Sequence, residues 1–290
     1  MSGAGVLPNA FVGGAQKSGT TTLHRLLETH PQIFFPNRPQ EIHFFDLESA
    51  YRRGLGWYQG LFADWRGERV IAQTSPLYLY HPCVAERIAA VAPGARFLFL
   101  LRNPIDRAYS HYWHELRYGW ESLPFEQALA AEPERLRGGE EARRHYSYLD
   151  RGRYALQLAR YLDHFPREQI LVLLYDQLTA DLAGLGARAA AFLGVDPAGL
   201  VLPPSGEAKR HNPAHLPRWP ALQRATRGLR EPLPRLAWLV DRLNLVEARY
   251  PPMKPETRER LAADFASEAE ALKRLVGLET GHWFGPRLER

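Results

Sequence analysis

The chain has 290 residues, 45% of them hydrophobic and 24% charged. That balance suits a globular protein with a core of its own and excludes a disordered chain. Its single cysteine, Cys83, excludes an intrachain disulfide framework and a cysteine-rich zinc site. The densest apolar run, residues 97–101, is far too short to span a bilayer. The opening residues MSGAGVLPNAFVGG place no basic stretch ahead of an apolar one. No secretory signal is therefore read, and a cytoplasmic location is expected. Lys+Arg is 37 against 32 for Asp+Glu, a net charge of +5. The excess points to an anionic partner: nucleic acid, an acidic membrane or a phosphorylated small molecule. Lysines occur only at 17, 209, 254 and 273, so a lysine inside a glycine-rich loop stands out.

Residues 9–14 read as a buried strand running into glycines. A helix follows over 20–29, with Leu23, Leu26 and Leu27 on one face and His24, Arg25 and Glu28 facing out. Residues 69–73 and 96–101 read as buried strands. The second ends at Arg102-Asn103-Pro104. Asn103 suits an N-cap, Pro104 a first helical position and Asp106 a capping-box-like acid, so a helix is predicted from 104. A helix over 153–165, a strand over 170–175 and a helix over 182–193 complete the pattern. Apolar strands alternating with helices imply an α/β fold, a central parallel sheet flanked by helices. The expected organisation is one domain over 1–290, with an α/β nucleotide-binding body over 9–200. The proline-rich stretch from 201 reads as irregular structure, closed by a helix over 256–276.

Gly13-Gly14-Ala15-Gln16-Lys17-Ser18-Gly19-Thr20-Thr21-Thr22 joins the first strand to the first helix. Glycines let backbone N–H groups turn toward a ligand, the helix N-terminus adds positive potential, and Lys17 adds a full charge. This is a phosphate cradle. It differs from a Walker A loop, whose lysine follows the last glycine; here Thr20 holds that position. A metal-dependent phosphotransferase also needs an acid at a neighbouring strand end. The strand 96–101 ends instead at Arg102, which suits a phosphate directly.

These residues resemble the sulfotransferases that use 3′-phosphoadenosine 5′-phosphosulfate (PAPS), particularly the branch of heparan sulfate sulfotransferases and their bacterial relatives. The resemblance covers roughly residues 9–215 and rests on three blocks. They are the loop 14–21, the segment Glu41-Ile42-His43-Phe44-Phe45-Asp46, and Leu101-Arg102-Asn103-Pro104 with Arg107, Ala108, Tyr109 and Ser110. It implies a P-loop nucleotide-kinase-like domain that transfers a sulfuryl group and releases 3′,5′-diphosphoadenosine (PAP), without a metal. By resemblance, Gln16, Lys17, Ser18, Gly19, Thr20, Thr21 and Thr22 hold the 5′-phosphosulfate, and Lys17 meets the bridging oxygen. Arg102 and Ser110 bind the 3′-phosphate. Tyr154 lies near the nucleotide, and Lys209 and Arg210 close over it. Glu41 is the candidate general base and His43 the runner-up. If 41–46 is extended, Glu41, His43 and Phe45 share one face; Asp46 is read as orienting a neighbour.

Thr74 takes the place of a second lysine found in heparan-type members. Ser75 and Tyr78 are candidates for facing the acceptor, and Trp57, Tyr58, Trp113 and Trp120 for lining its cleft. Residues 134–145 read as a mixed-charge loop or an acceptor-side lid. His111 and His114 are read as lacking an acidic partner, so no metal site is expected. The acceptor expected is a small molecule, a carbohydrate or a lipid, not nucleic acid. The competing readings are a P-loop-type kinase and a noncatalytic polyanion-binding protein.

Overall fold

A computed structural model describes residues 5–37, 41–204, 215–230 and 232–284. Contacts group them into two compact units, one within 1–102 and 154–211, the other within 103–153 and 212–290.

The first unit contains a five-stranded parallel sheet. Its strands are β1 (Ala10–Gly14), β2 (Ile33–Phe34), β3 (Val70–Thr74), β4 (Arg96–Leu101) and β5 (Ile170–Leu174). Their spatial order is β2-β3-β1-β4-β5. Four lie where the sequence patterning predicts them; two-residue β2 is too short for any period to reveal. Alternation divides the sheet into two faces. Ala10, Val12, Leu98 and Leu100 point to an aliphatic cluster with Leu23, Leu27, Leu185 and Ala189, from the helices Thr20–Glu28 and Leu182–Leu193. Phe11, Phe97 and Phe99 point the other way. Phe97 stacks on Phe11 at 5.4 Å and on Phe99 at 5.9 Å, and packs against Tyr161 and Phe165 at 5.0 and 4.5 Å.

β1 is central, with β3 on one side and β4 on the other. The chain leaves β1, builds β2 and β3 to one side, then crosses to β4. The carboxyl ends of β1 and β4 therefore flank the switch point of the sheet, where open α/β sheets bind ligands.

The second unit is mainly helical. The helix Pro104–Arg117 starts as the sequence predicts: Asn103 Oδ1 accepts a hydrogen bond from Ile105 N at 2.9 Å, and Pro104 opens the helix. Asp106 pairs with Arg258. Two expectations are corrected. Residues 134–145 are not a simple loop, because they fall across the end of the helix Phe125–Arg135, a 3-10 turn Leu136–Gly138 and the helix Glu140–Tyr146. The proline-rich region is not simply irregular. It holds the helices Pro220–Thr226 and Pro234–Asn244 and a small antiparallel pair, β6 (His215–Pro217) with β7 (Leu245–Glu247). Pro220, Pro234 and Pro255 each open a helix. A missing N–H is harmless there, so prolines that read as breakers act as starters.

Phe97 has no exposed surface. Phe97→Ala should lower the unfolding free energy by about 3–5 kcal/mol. A denaturant midpoint unchanged from wild type would contradict the aromatic face as the core of this unit.

Candidate active site

β1 stops at Gly14, where its pairing with β4 becomes irregular. A side chain at Gly14 would place its Cβ 2.9 Å from Leu79 Cβ and 3.0 Å from the Pro76 carbonyl. At Gly19, φ is 92° and a Cβ would lie 3.2 Å from the Tyr175 ring. Lys17 itself adopts φ 68°, a left-handed conformation that costs free energy in a residue with a side chain. Gly19 caps the helix Thr20–Glu28 without a side-chain hydrogen bond, which leaves amide donors of the first turn for an outside acceptor. Ser18 is wholly buried, and its Oγ has no hydrogen-bond partner among the described residues. Such a hydroxyl is costly unless something accepts from it. A phosphate oxygen at this loop would do so. Gln16, Lys17, Thr21 and Thr22 are half-buried, and Thr20 is buried.

Arg102 follows β4 directly. Its Nη1 donates to the Lys17 carbonyl at 3.1 Å, and its guanidinium lies 4.7 Å from the centre of the Tyr175 ring. Tyr154 is fully buried and donates through its hydroxyl to the Arg102 carbonyl at 2.9 Å. The tyrosine expected near the nucleotide thus acts on the backbone of Arg102. Ser110 is half-buried on the helix Pro104–Arg117 of the second unit. Lys209 and Arg210 lie outside the described residues.

The third group forms beside the carboxyl end of β3. Glu41 makes a parallel bridge to Thr74, and Ile42 N donates to the Thr74 carbonyl at 3.3 Å. Asp46 is 2% exposed, and its Oδ2 lies 2.7 Å from His43 Nδ1. His43 Nε2 in turn lies 3.6 Å from Glu41 Oε2, and Glu41 is half exposed to solvent. The His43 ring is thus set between a buried carboxylate at Nδ1 and a half-exposed one at Nε2. The expected shared face holds for Glu41 and His43 but not for Phe45. A turn over 44–46 ends the alternation and drives Phe45 into the aromatic core, edge-on to Phe11 at 6.2 Å.

Tyr58 and Tyr78 are corrected from cleft to core. Both are fully buried. Gln73 Nε2 donates to the Ile42 carbonyl and to the Tyr78 hydroxyl, each at 2.7 Å. Tyr78 donates to the same carbonyl at 2.9 Å, and Tyr58 donates to Gln73 Oε1. Burial holds both phenols well above their ordinary range, so they remain neutral donors that fix the Glu41 segment. Ser75 is buried, with Oγ 3.4 Å from His43 Nδ1. Of the tryptophans, Trp57 carries Arg53 over its ring, Trp113 stacks on Tyr250 and Trp120 on His145. His111 does have an acidic partner: Glu115 lies one turn on, 3.2 Å from His111 Nε2 and 2.7 Å from His145 Nδ1. Among the described residues, no cluster of three such side chains suits a metal.

The sequence reading missed His24. It is expected to face out but is only 4% exposed. Its Nδ1 lies 2.7 Å from Thr74 Oγ1, and its ring packs on Phe35. It links the helix that carries the phosphate loop to the strand end that carries Glu41. Burial first, then the charge of Arg25, lower its pKa to about 4, so the ring is neutral near pH 7.

The model of the family described as Sulfotransferase domain matches residues 7–208. The chain belongs to this family. The crystal structure of a sulfotransferase from Alicyclobacillus acidocaldarius matches at a TM-score of 0.71 and 31% identity, covering 96% of this chain and 99% of that one. Human heparan sulfate glucosamine 3-O-sulfotransferase 3B1 is 30% identical over 199 residues, 67% of this chain and 48% of that protein. Human bifunctional heparan sulfate N-deacetylase/N-sulfotransferase 2 is 30% identical over 203 residues, 66% of this chain and 22% of that protein. The chain thus spans about half the length of the first human sulfotransferase and under a quarter of the second.

The depressed pKa of His24 has a stability consequence. The unfolded chain takes up this proton near pH 6.5 and the folded chain only near pH 4, so the contribution to stability falls as pH drops between these values. His24→Gln removes that decline. Measured against wild type from pH 7 to pH 4, the variant should gain about 3 kcal/mol of relative stability. A stability difference independent of pH would contradict a buried neutral His24.

Proposed function

We propose that this chain transfers a sulfuryl group from PAPS to an acceptor hydroxyl and releases PAP. The observation that carries the reading is the pairing of β1 with β3, Val12 opposite Thr74. It sets the lysine loop and the Glu41–His43–Asp46 group at the ends of adjacent strands. The buried, unpartnered Ser18 hydroxyl, together with the capping amides, suits a phosphate group.

PAPS supplies the sulfuryl group and the 5′-phosphate leaving group. The Lys17 ammonium stabilises the charge that develops on the leaving phosphate oxygen. Ser18, Gly19, Thr20, Thr21 and Thr22 donate to the phosphate oxygens, and Gln16 lines the loop. Arg102 holds the 3′-phosphate and Tyr154 fixes the Arg102 backbone; the family resemblance adds Ser110, Lys209 and Arg210 as candidates for binding the nucleotide. Glu41 accepts the proton of the acceptor hydroxyl as its oxygen attacks sulfur in line. His43, oriented by Asp46, positions the acceptor beside Glu41. The human relatives are named for heparan sulfate glucosamine 3-O-sulfation and for heparan sulfate N-deacetylation and N-sulfation. Carbohydrate hydroxyls are therefore the first acceptor class to test, with lipids and small molecules next.

Labelled PAPS incubated with pooled acceptors in EDTA should yield a product heavier by one sulfuryl group. Glu41→Gln should slow transfer by about 10²–10⁴-fold while PAP binding persists. Full transfer by Glu41→Gln would overturn the assignment of the base. No transfer to any acceptor class, with no PAP binding, would overturn the reading as a whole.

A further inference from the structure

A surface helix ordinarily turns its apolar stripe toward the protein and its polar face to water. The helix Pro234–Asn244 departs from this. Its inward side carries only the small apolar Ala237 and the fully buried polar Asn244 as buried residues. The Asn244 side chain donates to Gln223 Oε1 at 3.0 Å and to the Trp219 carbonyl at 3.1 Å, and accepts from Trp219 N at 2.8 Å. Gln223 Nε2 donates to Asp241 Oδ1 at 2.5 Å, and Arg230 bonds both Asp241 oxygens at 2.7 and 2.9 Å. This network locks the helix against Pro220–Thr226 through polar groups.

The leucines point away. Leu236, Leu239 and Leu243, spaced i, i+3 and i+7 along one stripe, are 42%, 45% and 62% exposed, and Trp238 beside them is 59% exposed. The neighbouring segment adds Trp219 and Leu222, also exposed. Among the described residues, the exposed charge around the stripe is predominantly basic. Arg218, Arg224, Arg227, Arg235, Arg242 and Arg249 are all exposed, whereas Glu247 is the one exposed acid among the described residues 215–230 and 232–249. Arg235 and Arg242 lie two turns apart along one flank of the leucine stripe. The Arg242 guanidinium sits 5.3 Å from the Trp238 ring centre.

We propose that this face docks on an anionic phospholipid surface. The leucines and tryptophans enter the boundary of the acyl chains while the arginines meet the headgroup phosphates, as in interfacial basic amphipathic helices. A two-fold interface with a second copy would set this patch against itself and bring arginines against arginines. An anionic surface instead neutralises them. The inference does not depend on the nucleotide chemistry proposed above.

The test is cosedimentation of the full chain with vesicles of phosphatidylcholine alone or with a third phosphatidylglycerol. The wild type should bind the anionic vesicles at least about tenfold better, with the preference weakening in high salt. Leu239→Glu/Leu243→Glu should abolish binding. Arg235→Glu/Arg242→Glu should remove the preference for phosphatidylglycerol. All four positions are exposed, so melting temperatures near that of the wild type verify that the variants fold. Failure of the folded wild type to bind anionic vesicles would overturn the proposal. So would a dimer in light scattering that the leucine pair dissociates while vesicle binding is absent.

Discussion

The turn from β1 into the first helix is the constraint on which the rest of the site depends. Five residues, 15–19, separate the last strand residue Gly14 from the first helical residue Thr20. Such a short span leaves little freedom, and Lys17 takes a left-handed conformation to make the turn. The turn is then held from three sides. Leu79 and Pro76 press on Gly14, Tyr175 on Gly19, and Arg102 bonds the Lys17 carbonyl. Each of these comes from a different strand end, so the parallel sheet itself presents the cradle. The anion-binding amides, the lysine and the buried Ser18 hydroxyl are therefore arranged before any ligand arrives, and preorganisation of this kind lowers the cost of binding.

The acid segment is held by different means. Glu41 is half exposed, and the described residues that follow it are tied into the fold. Its backbone is stitched to Thr74, and Gln73 and Tyr78 anchor the neighbouring Ile42 carbonyl in the core. Asp46, buried, sets the ring of His43. His24 binds Thr74 from the opposite side. Thr74 is thus the joint between the phosphate loop's helix and the acid segment. A small hydroxyl there accepts a neutral histidine, whereas a lysine in that place would set a cation against it.

Much of this was legible in the sequence. The strands of the sheet show as short apolar runs because both faces are covered, and the glycine–lysine loop shows because its conformation demands particular residues. Asn103-Pro104 marks its helix start through local cap chemistry. Several of the failures come from contact between distant segments. His24 sits at the edge of the leucine stripe, and only Thr74 and Phe35 bury it. Phe45 leaves its expected face because Asp46 must turn back to reach His43. Glu115 lies one helical turn from His111, a pairing of polar side chains that apolar periodicity does not reveal. The helix Pro234–Asn244 lies in a stretch that reads as irregular from its prolines, and only the buried Asn244 network shows which way its leucines point.

The most direct measurement is calorimetric titration of the chain with PAP in EDTA. One nucleotide bound per chain, with binding lost in Lys17→Ala and weakened in Ser18→Ala, is the expected result. Absence of binding, or binding that requires Mg²⁺ and is equal for ATP, would contradict a phosphate site built on Lys17 and Ser18.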